Sequence, residues 1–204
     1  MLQLTKLPLS RQHSVIVLAI SLLALLAQLF YQESHDVFAY QRDLIAQGQV
    51  WRIFTGHLLH TNSYHLLLNL SALWLLWALH GHYYHYGNYA VLLILSALIT
   101  SLGLYLFSPE LTSYVGLSGV LHGVFIWGAI TDIRQQEKTG YLLLLGVILK
   151  VAHEQFYGAD QSIAQLIDAN VAIDAHLWGG IGGLIVSYYY WQVNKKTLTE
   201  NNSH

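Results

Sequence analysis

The sequence predicts an all-α integral membrane protein built from six transmembrane helices. Hydrophobic residues account for 54% of the 204 residues and charged residues for only 10%, whereas soluble domains carry about 25% charged residues. The mean hydropathy is +0.42, and the apolar residues gather in long runs. Since backbone groups inside a bilayer must be paired within their own segment, we expect every run to form a helix.

Six apolar runs have a length close to the roughly 20 residues that cross a bilayer. These predicted spans are Ser14–Tyr31, Ser63–His80, Asn88–Phe107, Tyr114–Ile130, Gly140–Phe156 and Asp174–Val193. Lys150 and His153 interrupt the fifth run, which therefore gives the weakest signal. No small-residue cleavage site follows the first run, so we expect it to be retained as a span.

The basic residues predict that both termini are cytoplasmic. With the N-terminus inside, that side collects Lys6, Arg11, Arg134, Lys138, Lys195 and Lys196. Only Arg42 and Arg52 fall clearly on the outer side, as the positive-inside rule requires. Residues 1–13 then form a cytoplasmic segment and residues 14–193 a single membrane domain. A polar cytoplasmic tail over residues 194–204 is expected to be disordered.

One connection, residues 32–62, is much longer than the others and joins the first two spans. It carries Phe38, Trp51 and Phe54 among polar residues, which predicts a folded loop at the membrane interface. Long structured loops in compact proteins are commonly functional. His57 and His60 lie at its end, and we expect them to organise the loop.

Three predicted spans deliver polar residues to one depth below the outer surface. In this topology the second, fourth and sixth spans all begin at the outer side, with His65 and Asn69, Ser118, and His176 in their first turns. At 1.5 Å per residue, each lies only a few ångströms below its helix start. Polar residues at membrane depth are costly, so such a coincidence points to function.

Small residues provide a means of bringing two of these helices together. Gly119 and Gly123 are four residues apart on the fourth span, and small residues recur at the same spacing on the sixth, at Ala175, Gly179 and Gly183. Such faces let helix axes approach closely. Close packing would bring the Ser118 hydroxyl to the His176 imidazole, the arrangement of a serine nucleophile and its general base.

Donors for a developing oxyanion are also available near Ser118. His65 and Asn69 share one helix face at positions i and i+4, and the backbone N–H of Ser118 lies near a helix N-terminus. Plainer interpretations stay open: a lone serine often bonds its own helix backbone, and His65 with Asn69 can be a buried structural pair. His122, one turn after Ser118, either stacks on His176 or simply packs.

Other chemistries fit the sequence poorly. A zinc metalloprotease needs H-E-x-x-H, but Tyr157 stands where the second histidine would follow His153-Glu154. Asp132 and Asp174 fall at opposite sides of the membrane, which disfavours an aspartyl enzyme. The absence of cysteine removes thiol chemistry, and a net charge of −2 with no basic tract disfavours nucleic acid. We therefore expect no metal and no cofactor.

A metal site between the second and third spans is an alternative that stays open for three further histidines. His80, His82 and His85 cluster there on the cytoplasmic side, without a nearby carboxylate in sequence. A transporter is disfavoured because no discontinuous pair of charged helices is evident.

The ordered set of motifs resembles the rhomboid intramembrane serine proteases. The set consists of Trp51-Arg52 in the long loop, H-x-x-x-N at His65 and Asn69, G-x-S-G at Gly116, Ser118 and Gly119, and A-H-x-x-G at Ala175, His176 and Gly179. The resemblance runs from about Trp51 through the sixth span. Within the family, the short form with G-L-S-G-V-L-H-G is most similar to the bacterial rhombosortase branch.

The resemblance implies a six-helix rhomboid-like bundle with a Ser–His dyad and no third acid. Ser118 would be the nucleophile, His176 the general base, and His65, Asn69 and the Ser118 backbone N–H the oxyanion hole. Substrate would enter past a mobile fifth helix and an outer cap loop. One departure is His122, at a position where many rhomboids carry an aromatic ring beside the base.

The resemblance also implies partners and a location. The substrates would be transmembrane proteins, in the rhombosortase branch those with a C-terminal Gly-Gly sorting segment. The protein would sit in the lipid bilayer of a bacterial inner membrane, with its site open toward the periplasmic side. An alternative is a catalytically silent rhomboid-like binder or chaperone of transmembrane segments, although such relatives usually lack the serine or the histidine.

Overall fold

A computed structural model of the chain describes residues 7–201, with side chains described as far as Val193. The helices are α1 (Arg11–Leu29), α2 (Tyr31–Phe38), α3 (Arg42–Ala46), α4 (Arg52–Thr55), α5 (Ser63–His80), α6 (Tyr86–Phe107), α7 (Ser118–Arg134), α8 (Thr139–Tyr157), α9 (Gln161–Ile167) and α10 (Ile173–Asn201). Two short strands, β1 (Tyr40–Gln41) and β2 (Ser113–Tyr114), pair antiparallel. The all-helical prediction thus holds for the described residues, apart from this one small sheet.

Each predicted span coincides with a long helix, and α5 has the predicted bounds. Helix α7 begins at Ser118 rather than Tyr114, because Tyr114 is paired in strand β2. Helix α10 continues to Asn201, whereas a disordered tail was predicted from residue 194. No proline or glycine follows Val193 to end the helix. Residues 1–6 and 202–204, which belong to the predicted cytoplasmic segments, lie outside the description.

The structure contains at least two candidate membrane spans by length and composition, α1 and α6. Helices α8 and α9 make a third if the pair, bent by 90°, is counted as one span. Helix α7 has 17 residues, and α5 contains polar side chains at both of its ends. The count of six spans therefore stays a prediction.

Helix α7 occupies the centre of the bundle, and most of its residues are buried. On one side it packs through Val124 and Trp127 against a core formed with α1, α5 and α6, which includes Leu73 and Leu92. A helix that is apolar around its whole circumference belongs in the interior. Ser118, at the start of α7, is consequently surrounded by other helices.

The small residues bring α7 and α10 together backbone to backbone. A Cβ added at Gly119 would lie 2.8 Å from the carbonyl oxygen of Ala175, and one at Gly123 would lie 2.7 Å from that of Gly179. A Cβ at Gly183 would collide with the backbone of Gly123. The predicted close approach of the two helices is therefore present, and it places the starts of α7 and α10 side by side.

The long loop, residues 32–62, is folded, and side chains of its own basic and aromatic residues donate hydrogen bonds that stabilise it. The buried guanidinium of Arg52 donates to the carbonyls of Ala39 at 2.7 Å and Asp36 at 2.8 Å. The Trp51 indole donates to the Val37 carbonyl at 3.0 Å. Arg42 reaches the C-terminal end of α6, where it donates to the carbonyl of Ser108 among others. Trp51 and Arg52 thus hold the loop in shape.

Candidate active site

The structure brings Ser118 and His176 into hydrogen-bond contact. The Oγ atom of Ser118 lies 3.0 Å from Nε2 of His176. Ser118 is the first residue of α7, and His176 is in the first turn of α10. The contact follows from the packing of Gly119 against Ala175, because each small residue is the immediate neighbour of a polar one.

His122 stacks on His176, which decides between the two interpretations that the sequence allowed. The ring centroids are 4.1 Å apart and the planes differ by 19°. Nδ1 of His122 lies 2.7 Å from the carbonyl oxygen of Ser118 and donates to it. An imidazole here fills the place of the expected aromatic ring, and its own hydrogen bond fixes its orientation.

A carboxylate, which the sequence reasoning missed, contacts the other nitrogen of His176. Oε2 of Glu154, near the end of α8, lies 2.8 Å from Nδ1 of His176, and Oε1 lies 2.7 Å from Nζ of Lys150. The family resemblance implied no third acid, so the structure differs from that expectation. The sequence did contain a signal for this contact. The predicted fifth span ends on the side of the membrane where the sixth begins, and Lys150, four residues before Glu154, is placed to pair with the acid.

His65 lies beside Gly116, two residues before Ser118. A Cβ added at Gly116 would lie 3.0 Å from both Nε2 and Cε1 of His65 and 4.0 Å from Oγ of Ser118. Thr61 holds the other side of the ring, with its backbone N–H 3.4 Å and its hydroxyl 3.1 Å from Nδ1. That hydroxyl also donates to the Ile167 carbonyl at 2.6 Å. Nε2 is the ring nitrogen that faces Gly116.

Asn69 and the Ser118 backbone provide further donors. Asn69 is buried one turn after His65, and its amide donates to the His65 carbonyl at 3.2 Å. This bond uses one of the two amide hydrogens, so the second remains for another acceptor. The N–H of Ser118 is at the first position of α7, where amides have no partner within the helix.

Gly116 shapes the turn that delivers Ser118. Its φ of +133° lies in the region that favours glycine. Its N–H donates to the Gly56 carbonyl at 3.2 Å, and its own carbonyl accepts from the Tyr114 hydroxyl at 2.6 Å. Gly116 is therefore fixed both by its backbone conformation and by the lack of room beside His65.

His57 and His60, at the end of the long loop, pack against residues around this turn. Nε2 of His57 lies 3.1 Å from the Ala97 carbonyl of α6, and the His57 ring meets Tyr114 edge-on. Burial lowers the pKa of His57 from 6.5 to about 4. His60 contacts His65 edge-on at 5.0 Å, and burial lowers the pKa of His60 to about 3. Both rings are therefore neutral packing groups at pH 7.

His122, Glu154 and His176 are close enough for a metal on distance alone, with ligand atoms within 4.8 Å of one another. The two imidazoles are stacked nearly parallel, however, so their in-plane lone pairs run side by side and do not converge on one ion. The described residues contain no such cluster at His80, His82 and His85. His80 pairs instead with Asp132, at 3.2 Å.

The chain is similar to proteins named as rhomboid proteases. The putative rhomboid protease YdcA of Bacillus subtilis is 24% identical over 184 residues, which cover 87% of this chain and 89% of that protein. The rhomboid protease GlpG of Photorhabdus laumondii is 28% identical over 201 residues, covering 96% of this chain and 67% of that protein. The Rhomboid domain family matches residues 47–193. This match covers most of the chain, from α4 through α9 and along α10 as far as Val193. The chain therefore belongs to the rhomboid family.

Proposed function

We propose that this chain is an intramembrane serine endopeptidase that cleaves its substrates in or near a transmembrane segment. The observation that carries the proposal is the 3.0 Å contact between Oγ of Ser118 and Nε2 of His176. In this proposal Ser118 is the nucleophile and His176 the general base. The names of the relatives, which are rhomboid proteases, support the same activity.

The reaction follows from this geometry. Nε2 of His176 takes the proton of Ser118 as Oγ attacks the substrate carbonyl, and the carbonyl oxygen becomes an oxyanion. His176 then returns that proton to the leaving amine as the C–N bond breaks. Water, deprotonated by the same nitrogen, next releases the acyl group from Ser118.

The oxyanion is stabilised by donors from two helices. The backbone N–H of Thr61 leaves the proton of His65 on Nε2, beside Gly116, where it is free to donate. The second amide hydrogen of Asn69 and the backbone N–H of Ser118 complete the set. Fixed donors of this kind are usually the largest single contribution to acyl-transfer catalysis.

The proposed location is the inner membrane of a bacterium, with both termini in the cytoplasm and the site open to the periplasmic side. In this orientation His65, Ser118 and His176 lie in the outermost turns of their helices, where water for hydrolysis is available. Helix α8 buries only Gly140 and Val147. Its loose packing supports a role as the gate for lateral entry of substrate.

The proposed substrates carry a C-terminal Gly-Gly sorting segment, as in the rhombosortase branch that the G-L-S-G-V-L-H-G motif resembles. A glycine pair weakens a helix and exposes the scissile carbonyl, which hydrogen bonds otherwise occupy. The test compares cleavage of a single-span reporter bearing Gly-Gly with one bearing Leu-Leu at the same position. Equal cleavage of both reporters contradicts this specificity.

The activity itself is tested with the purified protein in detergent. Ser118→Ala and His176→Ala should each lower cleavage of the reporter at least about a thousandfold, whereas the exposed serine and histidine variants Ser71→Ala and His153→Ala serve as controls. A fluorophosphonate probe should label the wild type at Ser118. Unchanged cleavage in both site variants contradicts the proposal, and failure of the probe to label favours a silent binder of transmembrane segments.

A further inference from the structure

We propose that Glu154 is a positioning residue for His176, so that the site is a Ser118–His176–Glu154 triad. The assignment rests on the proposed peptidase function. It differs from the dyad that the family resemblance implies, and it gives a task to a partly buried acid that the reaction described above does not use.

The first step of the argument is geometric. Both ring nitrogens of His176 are engaged, Nδ1 by Oε2 of Glu154 at 2.8 Å and Nε2 by Oγ of Ser118 at 3.0 Å. An ionised carboxylate only accepts hydrogen bonds, so Nδ1 must carry the proton. Nε2 is then left with its lone pair toward Ser118, which is the tautomer that a general base requires.

The second step concerns charge. The side chain of Glu154 is 12% exposed and that of His176 is 7% exposed, so a carboxylate here needs a partner on each oxygen. Lys150 supplies one to Oε1 at 2.7 Å and His176 supplies the other. When His176 accepts the proton of Ser118, the positive charge forms next to a fixed negative one, which lowers the energy of that state.

The third step is that, in the described part of the chain, no other contact of His176 determines which of its ring nitrogens carries the proton. His122 stacks on the face of the His176 ring, and its own Nδ1 is bonded to the Ser118 carbonyl. A stacking contact restricts the tilt of a ring but does not select which nitrogen carries the proton. Glu154 is therefore the group that sets the tautomer of His176.

A purely structural role for Glu154 makes different predictions. Lys150 and Glu154 are four residues apart on α8 and form a common type of helix ion pair. If that pair were the reason for Glu154, removing either partner would have the same effect. The triad instead predicts that Glu154 matters far more than Lys150.

The experiment compares Glu154→Gln, Glu154→Asp and Lys150→Gln with the wild type, all in detergent, on the reporter cleaved by the wild type. Glu154→Gln should lower kcat at least about a hundredfold with KM within about threefold, because its amide no longer enforces the tautomer. Glu154→Asp should restore at least about a tenth of the wild-type kcat, and Lys150→Gln, whose amide can still donate to Oε1, should lower kcat by no more than about tenfold.

A spectroscopic readout reports the tautomer directly. In protein labelled with ¹⁵N-histidine, the wild type should show a downfield Nδ1 proton signal that His176→Ala removes. Glu154→Gln should lose this signal while its melting temperature and its stacked aromatic signals stay close to those of the wild type. This measurement does not depend on a substrate and applies even where a variant turns over slowly.

The outcomes separate the two proposals. A wild type that neither cleaves the reporters nor reacts with the fluorophosphonate overturns the peptidase function, and with it the triad. A wild type that cleaves, together with Glu154→Gln that keeps its kcat or its Nδ1 proton signal, overturns only the triad. An equal loss of kcat in Lys150→Gln and Glu154→Gln also overturns it.

Discussion

Gly179 of α10 lies directly against the carbonyl of Gly119 on α7, so closely that a Cβ at Gly179 would collide with that carbonyl. Gly119 follows Ser118 in sequence, and Gly179 lies one turn after His176. The distance between hydroxyl and imidazole is therefore set by a contact between two backbones. This relationship makes the glycines part of the geometry of the candidate site as well as of the packing.

The first prediction concerns this contact. Gly179→Ala should push α10 away from α7 and lengthen the 3.0 Å contact between Ser118 and His176. Overpacking of this kind costs about 1–3 kcal/mol of stability, and a displacement of about 1 Å can lower activity about a hundredfold. Cleavage of the reporter and the melting temperature measure the two effects.

Gly146→Ala is the matched control, because α8 leaves nothing within 4 Å of a Cβ at that position. A helical alanine there should be neutral or slightly stabilising. A Gly179→Ala variant with the stability and activity of Gly146→Ala would contradict the role of the contact between α7 and α10 in setting the distance from Ser118 to His176.

The second prediction concerns the turn before Ser118. Gly116→Ala combines a φ of +133° with a Cβ only 3.0 Å from the His65 ring, so it should lower both stability and kcat. Gly48→Ala shares the backbone strain, with a φ of +98°, but has nothing within 4 Å of the new Cβ. We expect Gly48→Ala to lose about 1 kcal/mol of stability and to keep its kcat. Equal kcat values for the two variants would contradict the role given to His65.

Much of the candidate site followed from the sequence because its residues stand at helix starts. Ser118, His176 and the glycines that bring them together occur in short motifs whose spacing fixes a shared depth and face. A topology in which these helices begin at the same side of the membrane therefore suffices to predict that they meet. The bounds of α5 followed from its apolar run, and in the structure Asn62 accepts from the His65 N–H at 2.9 Å at the helix start.

Glu154 did not follow, because it stands in an apolar run interrupted by polar residues and its partner, His176, lies on another helix. The contact with His176 spans 22 residues and depends on how α8 packs beside α10. Lys150 and His153 interrupt the apolar run, and in the sequence Glu154 fits only an incomplete zinc motif. Polar composition after Val193 predicts disorder, whereas α10 extends to Asn201.

The third prediction concerns pH. Burial lowers the pKa of His57, in the long loop, from 6.5 to about 4. Between these values the unfolded chain binds a proton that the folded chain does not, so stability should fall as pH decreases from 6.5 toward 4. His57 should contribute about 1.4 kcal/mol per pH unit to this slope, and His60, with its pKa of about 3, adds to it.

Unfolding measured from pH 7 to pH 4 checks this dependence. His57→Gln should be less stable at pH 7, because the buried ring and its contact with Ala97 are lost, but its stability should depend less steeply on pH. His153→Gln, at an exposed position on α8, should keep the wild-type slope. An unchanged slope in His57→Gln would show that His57 is protonated with little cost in the folded protein.

The last prediction separates the oxyanion donors from the packing around them. His65→Phe keeps a planar ring between Gly116 and Thr61 but removes the Nε2 proton, so kcat should fall about 10²–10³-fold with little change in KM. His60→Phe makes the same change in the neighbouring ring, 5.0 Å away, and should keep its kcat.

Asn69→Leu should lose activity to an extent similar to His65→Phe. The double variant of His65 and Asn69 should lose less than the product of the single effects, because donors to one oxygen act as a unit. If both single variants cleave the reporter as fast as His60→Phe, the oxyanion is stabilised elsewhere, and the backbone N–H of Ser118 becomes its principal donor.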